Sequence, residues 1–129
     1  MYMAELMKHI AMPCEISFVR ISSYEGTSST GQVRELLGLS DDIAGRHVIV
    51  VEDIVETGTS IEHLKAMLQQ RGAASVAVSA LLFKPDCLKT GTPPEYSAIA
   101  IPDRFIVGFG LDYNQLGRNL KDIYEIVHE

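Results

Sequence analysis

Two stretches of the chain carry apolar residues at helical spacing. The first covers residues 2–11, where an apolar residue recurs every three or four positions, and Pro13 ends it. The second begins at Ile61 and ends near Gly72, a residue type that commonly closes helices. The pattern therefore predicts two helices, each with one apolar face.

The remaining apolar segments have the character of strands. Residues 47–51 and 75–83 are continuous apolar runs rich in β-branched residues, which is typical of buried parallel strands. A strand, a helix and a second strand in this order form a βαβ unit and predict a parallel sheet with a right-handed crossover. Shorter strands are predicted at 15–21 and at 32–37, and the second of these would pair back on the first. Further short strands are predicted at 96–101, 105–109 and 123–127.

A ten-residue polar stretch, Ser22–Gly31, separates the first two short strands. Tyr24 is the only aromatic residue in this stretch and has no local core to join. Because long structureless loops are uncommon in compact domains, the length of this polar stretch favours a functional loop over a passive connection.

Composition narrows the class of protein. The 129 residues fit a single domain, and 11 basic against 17 acidic residues give a net charge of −6, which argues against a nucleic-acid partner. No apolar run approaches the roughly 20 residues of a membrane span. The two cysteines, Cys14 and Cys87, have no metal or redox spacing, so a reducing cytoplasm is the expected compartment.

Candidate chemistry concentrates in VIVVEDIVETGTS, residues 48–60. A buried strand leads into the acids Glu52 and Asp53, and the helix that follows begins with hydroxyl residues around Gly58. Ligands of α/β sheets bind beyond the carboxyl ends of the strands, and backbone amides at a helix N-terminus bind phosphate. The pattern matches neither a Walker A loop nor G-x-G-x-x-G. It predicts a site for a phosphorylated sugar, with the acids accepting hydrogen bonds from its hydroxyls.

The stretch VVEDIVETGTS resembles the phosphoribosyl-diphosphate-binding signature of type I phosphoribosyltransferases. FVRISSYEGTSSTG resembles the flexible catalytic loop of the hypoxanthine (6-oxopurine) phosphoribosyltransferases, and LLFKP and IPDRFIVGFGLDYNQLGRN resemble their purine pocket and C-terminal hood. The resemblance implies an α/β fold in one domain over 1–129, with a parallel sheet flanked by helices and a small hood. It also implies purine salvage by a cytoplasmic homodimer or homotetramer: Mg²⁺-dependent transfer of the 5-phosphoribosyl group from phosphoribosyl diphosphate to hypoxanthine or guanine, giving IMP or GMP and diphosphate.

The resemblance also implies a role for each matching residue. Those that would bind substrate are Glu52 and Asp53 at the ribose hydroxyls, Thr57, Gly58, Thr59 and Ser60 at the 5′-phosphate, Lys84 at the purine 6-oxo group, Phe105 and Ile106 at the purine ring, and Arg118 at the diphosphate. Asp112, with Glu52 and Asp53, would hold Mg²⁺. Glu56 would be the general base near purine N7, and Ser23 and Tyr24 would close over the reacting centre.

Two departures from the family pattern stand out. Glu56 occupies a position where the family usually has Asp, so its carboxylate lies one methylene farther out. The first core strand of the family and its diphosphate-binding loop would lie before Met1, so we expect an N-terminally truncated domain. Two alternatives to an active enzyme are a non-catalytic, nucleotide-sensing RNA-binding regulator on the same fold and an inactive fragment. The acidic charge and the set Lys84, Phe105 and Asp112 argue against the regulator.

Overall fold

The structure is a computed structural model that describes residues 1–22 and 34–127, so Ser23 and Tyr24 lie outside the described residues. In chain order its elements are α1 (Tyr2–Met7), β1 (Arg20–Ser22), β2 (Arg34–Leu37), β3 (His47–Val55), α2 (Thr59–Gln70), β4 (Ser75–Phe83), a 3₁₀ turn (Pro85–Cys87), β5 (Tyr96–Ala100), β6 (Ile106–Val107) and β7 (Tyr124–Glu125). No helix among these residues is long and apolar enough to cross a bilayer.

A three-stranded parallel sheet with the order β3–β4–β5 forms the centre of the molecule. Val78 and Ala80 of β4 are fully buried and belong to one core cluster with Leu64 and Leu68 of α2. The hydroxyl of Tyr2 on α1 lies 2.8 Å from that of Ser79, whose side chain points to the opposite face of the strand. Helices therefore cover both faces, which confirms the predicted α/β fold and the βαβ unit.

Strand β3 is longer than the apolar run that predicted it. Its pairing with β4 continues from His47–Ser75 through Glu52–Ala80 to Val55–Phe83. Ile54 and Val55 are apolar again. The backbone hydrogen bonds to β4 continue past Glu52 and Asp53, which lie between the apolar run 47–51 and these two residues. Glu52 and Asp53 therefore lie inside the strand rather than beyond its end, which corrects the predicted boundary at residue 51.

The predicted strand over 15–21 is shorter in the structure. Only Arg20–Ser22 forms a strand, and it pairs antiparallel with β2 as expected. Residues 15–19 instead line a groove of about 340 Å³, whose other lining residues include 47–52 of β3. In the part of the chain that the structure describes, β3 pairs with β4 alone, so its second edge faces this groove without a strand partner.

The ends of the chain also depart in detail from the pattern. Helix α1 ends at Met7, and the chain continues to Ile10 as a tighter turn in which each backbone N–H donates to the carbonyl three residues earlier. The predicted strands 105–109 and 123–127 shrink to two residues each. They pair with each other as β6 and β7 and form a small C-terminal hood apart from the central sheet.

Candidate active site

Glu52 and Asp53 are neighbours on β3 and therefore point to opposite faces of the sheet. Asp53 accepts a hydrogen bond from the backbone N–H of Ile54 at 2.8 Å through Oδ1. Burial, followed by the negative charge of Asp53, raises the pKa of Glu52 to about 7. The two acids thus lie next to each other in the last half of β3, on opposite faces, where each carboxylate can accept from a hydroxyl donor or bind a cation.

The turn between β3 and α2 has the geometry of a phosphate-binding loop. Gly58 is the N-cap of α2 with φ 77°, a left-handed conformation that glycine adopts at little cost. The first N–H groups of an α-helix have no intrahelical acceptor, and no side chain caps those of α2. These groups and the exposed residues Thr59 and Ser60 give the loop its donors for an anion.

The segment after the 3₁₀ turn, residues 88–90, packs against the loop between β3 and α2. The backbone N–H of Lys89 donates to the carbonyl of Thr57 at 3.0 Å. A Cβ on Gly58 would lie 2.6 Å from Oγ1 of Thr90 and 3.0 Å from Cδ1 of Leu88, so only glycine fits. Oγ1 of Thr90 is buried, and it has no hydrogen-bond partner among the described residues.

Lys84 follows the last residue of β4 and is 5% exposed. Its Nζ lies 2.5 Å from Oε1 of Glu56 and 3.3 Å from Oδ1 of Asp103. Burial opposes the positive charge, but the hydrogen bonds to Glu56 and Asp103 outweigh it and raise the pKa of Lys84. The structure therefore brings together two residues predicted separately, the oxo-group donor and the general base.

The hood carries the aromatic residue predicted to stack on the purine. Phe105 is 53% exposed, and its ring meets that of Tyr113 edge to face at a centroid distance of 5.6 Å. The carbonyl of Phe105 accepts from the N–H of Ile126, and Ile106 pairs with Glu125 in the two-stranded sheet. The Phe105 ring is thus packed against Tyr113 while part of its surface stays accessible to a ligand.

Asp112 and Arg118, predicted to contact Mg²⁺ and diphosphate, contact each other. Arg118 lies 2.7 Å from Oδ1 of Asp112 and also donates to the carbonyl of Gly110. Oδ2 of Asp112 accepts from the N–H of Gln115 at 2.8 Å. Both carboxylate oxygens therefore have partners, and a cation at Asp112 would have to displace Arg118.

The donor set for Mg²⁺ is partly present. Within residues 1–22 and 34–127, no group of three or more acids, histidines or cysteines is arranged to hold a metal. Asp112 is therefore not grouped with Glu52 and Asp53. Carboxylates are suitable Mg²⁺ ligands, and magnesium commonly takes one or two of them and fills its octahedron with water and phosphate oxygens. The residues therefore fit a cation that arrives with a phosphorylated ligand.

Asp103 is the residue that the sequence reasoning missed. In the sequence it reads as part of a structural turn before Phe105. The structure pairs Phe83 of β4 with Ala100 of β5, so the residues that follow these two strand ends meet above the sheet. The sequence carried no signal for this contact, because the register of β4 and β5 that places Lys84 beside the segment containing Asp103 is known only from the fold.

Comparison with known proteins shows that the phosphoribosyl transferase domain family matches residues 2–114. A hypoxanthine-guanine phosphoribosyltransferase of Streptococcus pneumoniae is 43% identical over 120 residues, which are 92% of this chain and 67% of that protein. The chain therefore belongs to the hypoxanthine(-guanine) phosphoribosyltransferase family, and it spans about two thirds of the length of this relative.

Solved structures support the same assignment. A hypoxanthine phosphoribosyltransferase of Staphylococcus aureus superposes with a TM-score of 0.91 at 39% identity, covering 98% of this chain and 69% of that one. A variant of the Trypanosoma cruzi hypoxanthine phosphoribosyltransferase, complexed with its product IMP, superposes with a TM-score of 0.90 at 35% identity. That alignment covers 98% of this chain and 66% of the other. The match in fold extends over nearly all of the chain.

Proposed function

We propose that the chain transfers the 5-phosphoribosyl group of phosphoribosyl diphosphate to hypoxanthine or guanine, with Mg²⁺, and releases IMP or GMP and diphosphate. The observation that carries this proposal is Lys84. A buried ammonium at the end of a central strand is costly unless it has acceptors, and here two carboxylates supply them. A 6-oxo group is a further acceptor, whereas the 6-amino group of adenine is a donor.

The sugar and its phosphate would occupy the neighbouring strand end. The amides at the start of α2 would bind the 5′-phosphate. The ribose hydroxyls would donate to Glu52 and Asp53, and their approach would favour the ionised form of Glu52. The last half of β3 and the turn that follows it would thus bind the ribose and the 5′-phosphate together.

Transfer builds positive charge at ribose C1 and negative charge on the departing diphosphate. Mg²⁺, when bound, would supply positive charge that neutralises the leaving group. Arg118 would add a donor to the diphosphate once Asp112 turns to another partner. Glu56, half exposed beside Lys84, would accept the proton that the purine loses as it attacks. Ser23 and Tyr24 lie outside the described residues and enter the proposal through the sequence resemblance alone.

Replacing the buried cation tests this proposal. Lys84→Met keeps the length and removes the charge, so we expect kcat/KM for hypoxanthine and guanine to fall about 10- to 100-fold, as for a hydrogen bond to a charged group. Activity toward adenine should change little, so the preference for oxopurines narrows. Lys65→Met is the matched control because Lys65 is also paired, at 2.7 Å from Glu95, but lies on α2.

Two results would contradict the proposal. One is a wild-type chain that forms no IMP from hypoxanthine, phosphoribosyl diphosphate and Mg²⁺. Binding of phosphoribosyl diphosphate without turnover would then favour a non-catalytic role. The other is a Lys84→Met variant that discriminates against adenine as well as the wild type does.

A further inference from the structure

The carboxylate of Asp103 reaches the buried ammonium of Lys84 from outside the strand pair that holds it. Lys84 follows β4, Glu56 follows β3 and Asp103 follows β5, so three adjacent strand ends contribute one charged residue each. Asp103 Oδ1 lies 3.3 Å from Nζ of Lys84, although the Asp103 side chain is itself 71% exposed. A solvated acid thus touches one of the few buried polar groups of the chain.

The Asp103 carboxylate is ionised beside the Lys84 ammonium. Its hydrogen bond with Lys84, and then one with the Cys87 thiol, keep the pKa of Asp103 below its usual value. Cys87 lies on the 3₁₀ turn that begins directly after Lys84. The carboxylate therefore stays ionised next to the lysine that it contacts at 3.3 Å.

The number of N–H donors on Lys84 indicates what its contact with Asp103 does. An ammonium has three N–H donors, and within the described residues Glu56 and Asp103 accept from two of them. One donor remains, and its direction is set by the two that are taken. For Glu56 to accept the purine proton it must weaken its bond to Lys84, since a carboxylate bound to a cation is a poorer base. Asp103 is then the one carboxylate of the two that still accepts a hydrogen bond from the Lys84 ammonium.

We propose that Asp103 is a positioning residue for the transfer: it keeps the Lys84 ammonium directed at the purine 6-oxo group while Glu56 turns to the purine proton. The inference rests on the proposed function. It makes Asp103 a determinant of the preference for oxopurines, although it does not touch the purine. Removal of the Asp103 charge should therefore weaken ligands that carry a 6-oxo group and leave those with a 6-amino group unchanged.

Binding of the nucleotides IMP and AMP tests this without requiring turnover. By titration calorimetry on the full chain, Asp103→Asn should weaken IMP about 5- to 10-fold and leave AMP within about 2-fold, the scale of a partly exposed ion pair on a charged donor. Asp103→Glu restores the charge and should recover most of the IMP affinity. Asp86→Asn removes an equal charge from the exposed neighbouring turn and should change neither ligand.

The kinetic readout separates positioning from a structural role. In steady-state assays, Asp103→Asn should raise the KM for hypoxanthine by a similar factor with kcat changed less. If the wild type prefers IMP and Asp103→Asn keeps that preference, the inference is wrong while the proposed function stands. Equal losses for IMP and AMP, together with a lower melting temperature, would show a structural role and also overturn it. A wild-type chain that binds neither nucleotide would refute the proposed function itself.

Discussion

The partly buried acid Glu52 should make the chain less stable as the pH rises. Its carboxyl has a pKa of about 7 in the folded chain against a usual value of 4.5, because burial and then the charge of Asp53 oppose ionisation. Between these two values the folded chain holds one proton more than the unfolded chain. The free energy of unfolding therefore falls as the pH rises through this window, and it levels off above the folded pKa.

The size of the effect follows from the shift. Each pKa unit is worth about 1.4 kcal/mol, so a rise from 4.5 to about 7 corresponds to about 3–4 kcal/mol as an upper limit. Glu52→Gln removes the ionisation and keeps the shape. The variant should match the wild type near pH 4.5 and exceed it at pH 8, by up to roughly 10 °C in melting temperature for a domain of this size.

Thermal melts of both chains over pH 4.5–8.5, without metal or nucleotide, measure the difference directly. Asp53→Asn is a second test of the causes: it removes only the smaller one, so it should recover less stability at pH 8 than Glu52→Gln does. A Glu52→Gln variant whose advantage is the same at every pH, or that is less stable at pH 8, would refute the reasoning.

Two further predictions concern the site turn and the general base. Gly58→Ala should destabilise the chain by about 2–4 kcal/mol, because strain at φ 77° adds to contact with Thr90 and Leu88. Gly45→Ala, at φ 72° with nothing within 4 Å, should lose only the strain, and equal losses in chemical denaturation would argue against the contact. Glu56→Gln should lower kcat by ~10²–10⁴, whereas Glu56→Asp, too short to keep the 2.5 Å contact with Lys84, should retain or increase activity. Steady-state rates measure both, and a near-normal kcat in the Gln variant would contradict the base role.

The local sequence pattern is sufficient to predict an element whose periodicity lies within its own residues. Strand β4 is predicted to the residue and helix α2 to within about two residues at each end, because an amphipathic helix and a buried apolar strand each carry their own periodicity. The predicted end of β3 at residue 51 is wrong, because the backbone hydrogen bonds between β3 and β4 tolerate Glu52 and Asp53 as long as β4 continues beside them. Polarity alone does not end a strand whose partner is still present.

The parts of the site that sequence could not supply are contacts between segments. Asp103 reads as a turn residue until the register of β4 and β5 sets it against Lys84. The ion pair of Asp112 with Arg118 likewise joins two residues that the resemblance assigned to different ligands. Residue types and strand ends were predictable, whereas the choice of partner for each charge depends on the folded geometry.

The unpartnered edge of β3 divides the amides of a single strand into two populations. Successive N–H groups of a strand point to alternate sides, so within the described residues every second amide of His47–Val55 faces β4, and the outward amides of residues 47–52 lie along the groove lined by residues 15–19. Amides bonded to β4 exchange with solvent deuterium only when the sheet opens, whereas those facing the groove exchange without that event. A row of open donors and acceptors on a nine-residue strand is also the kind of edge on which a strand from another molecule can pair. The same geometry therefore sets both the exchange pattern of β3 and the tendency of the chain to associate at high concentration.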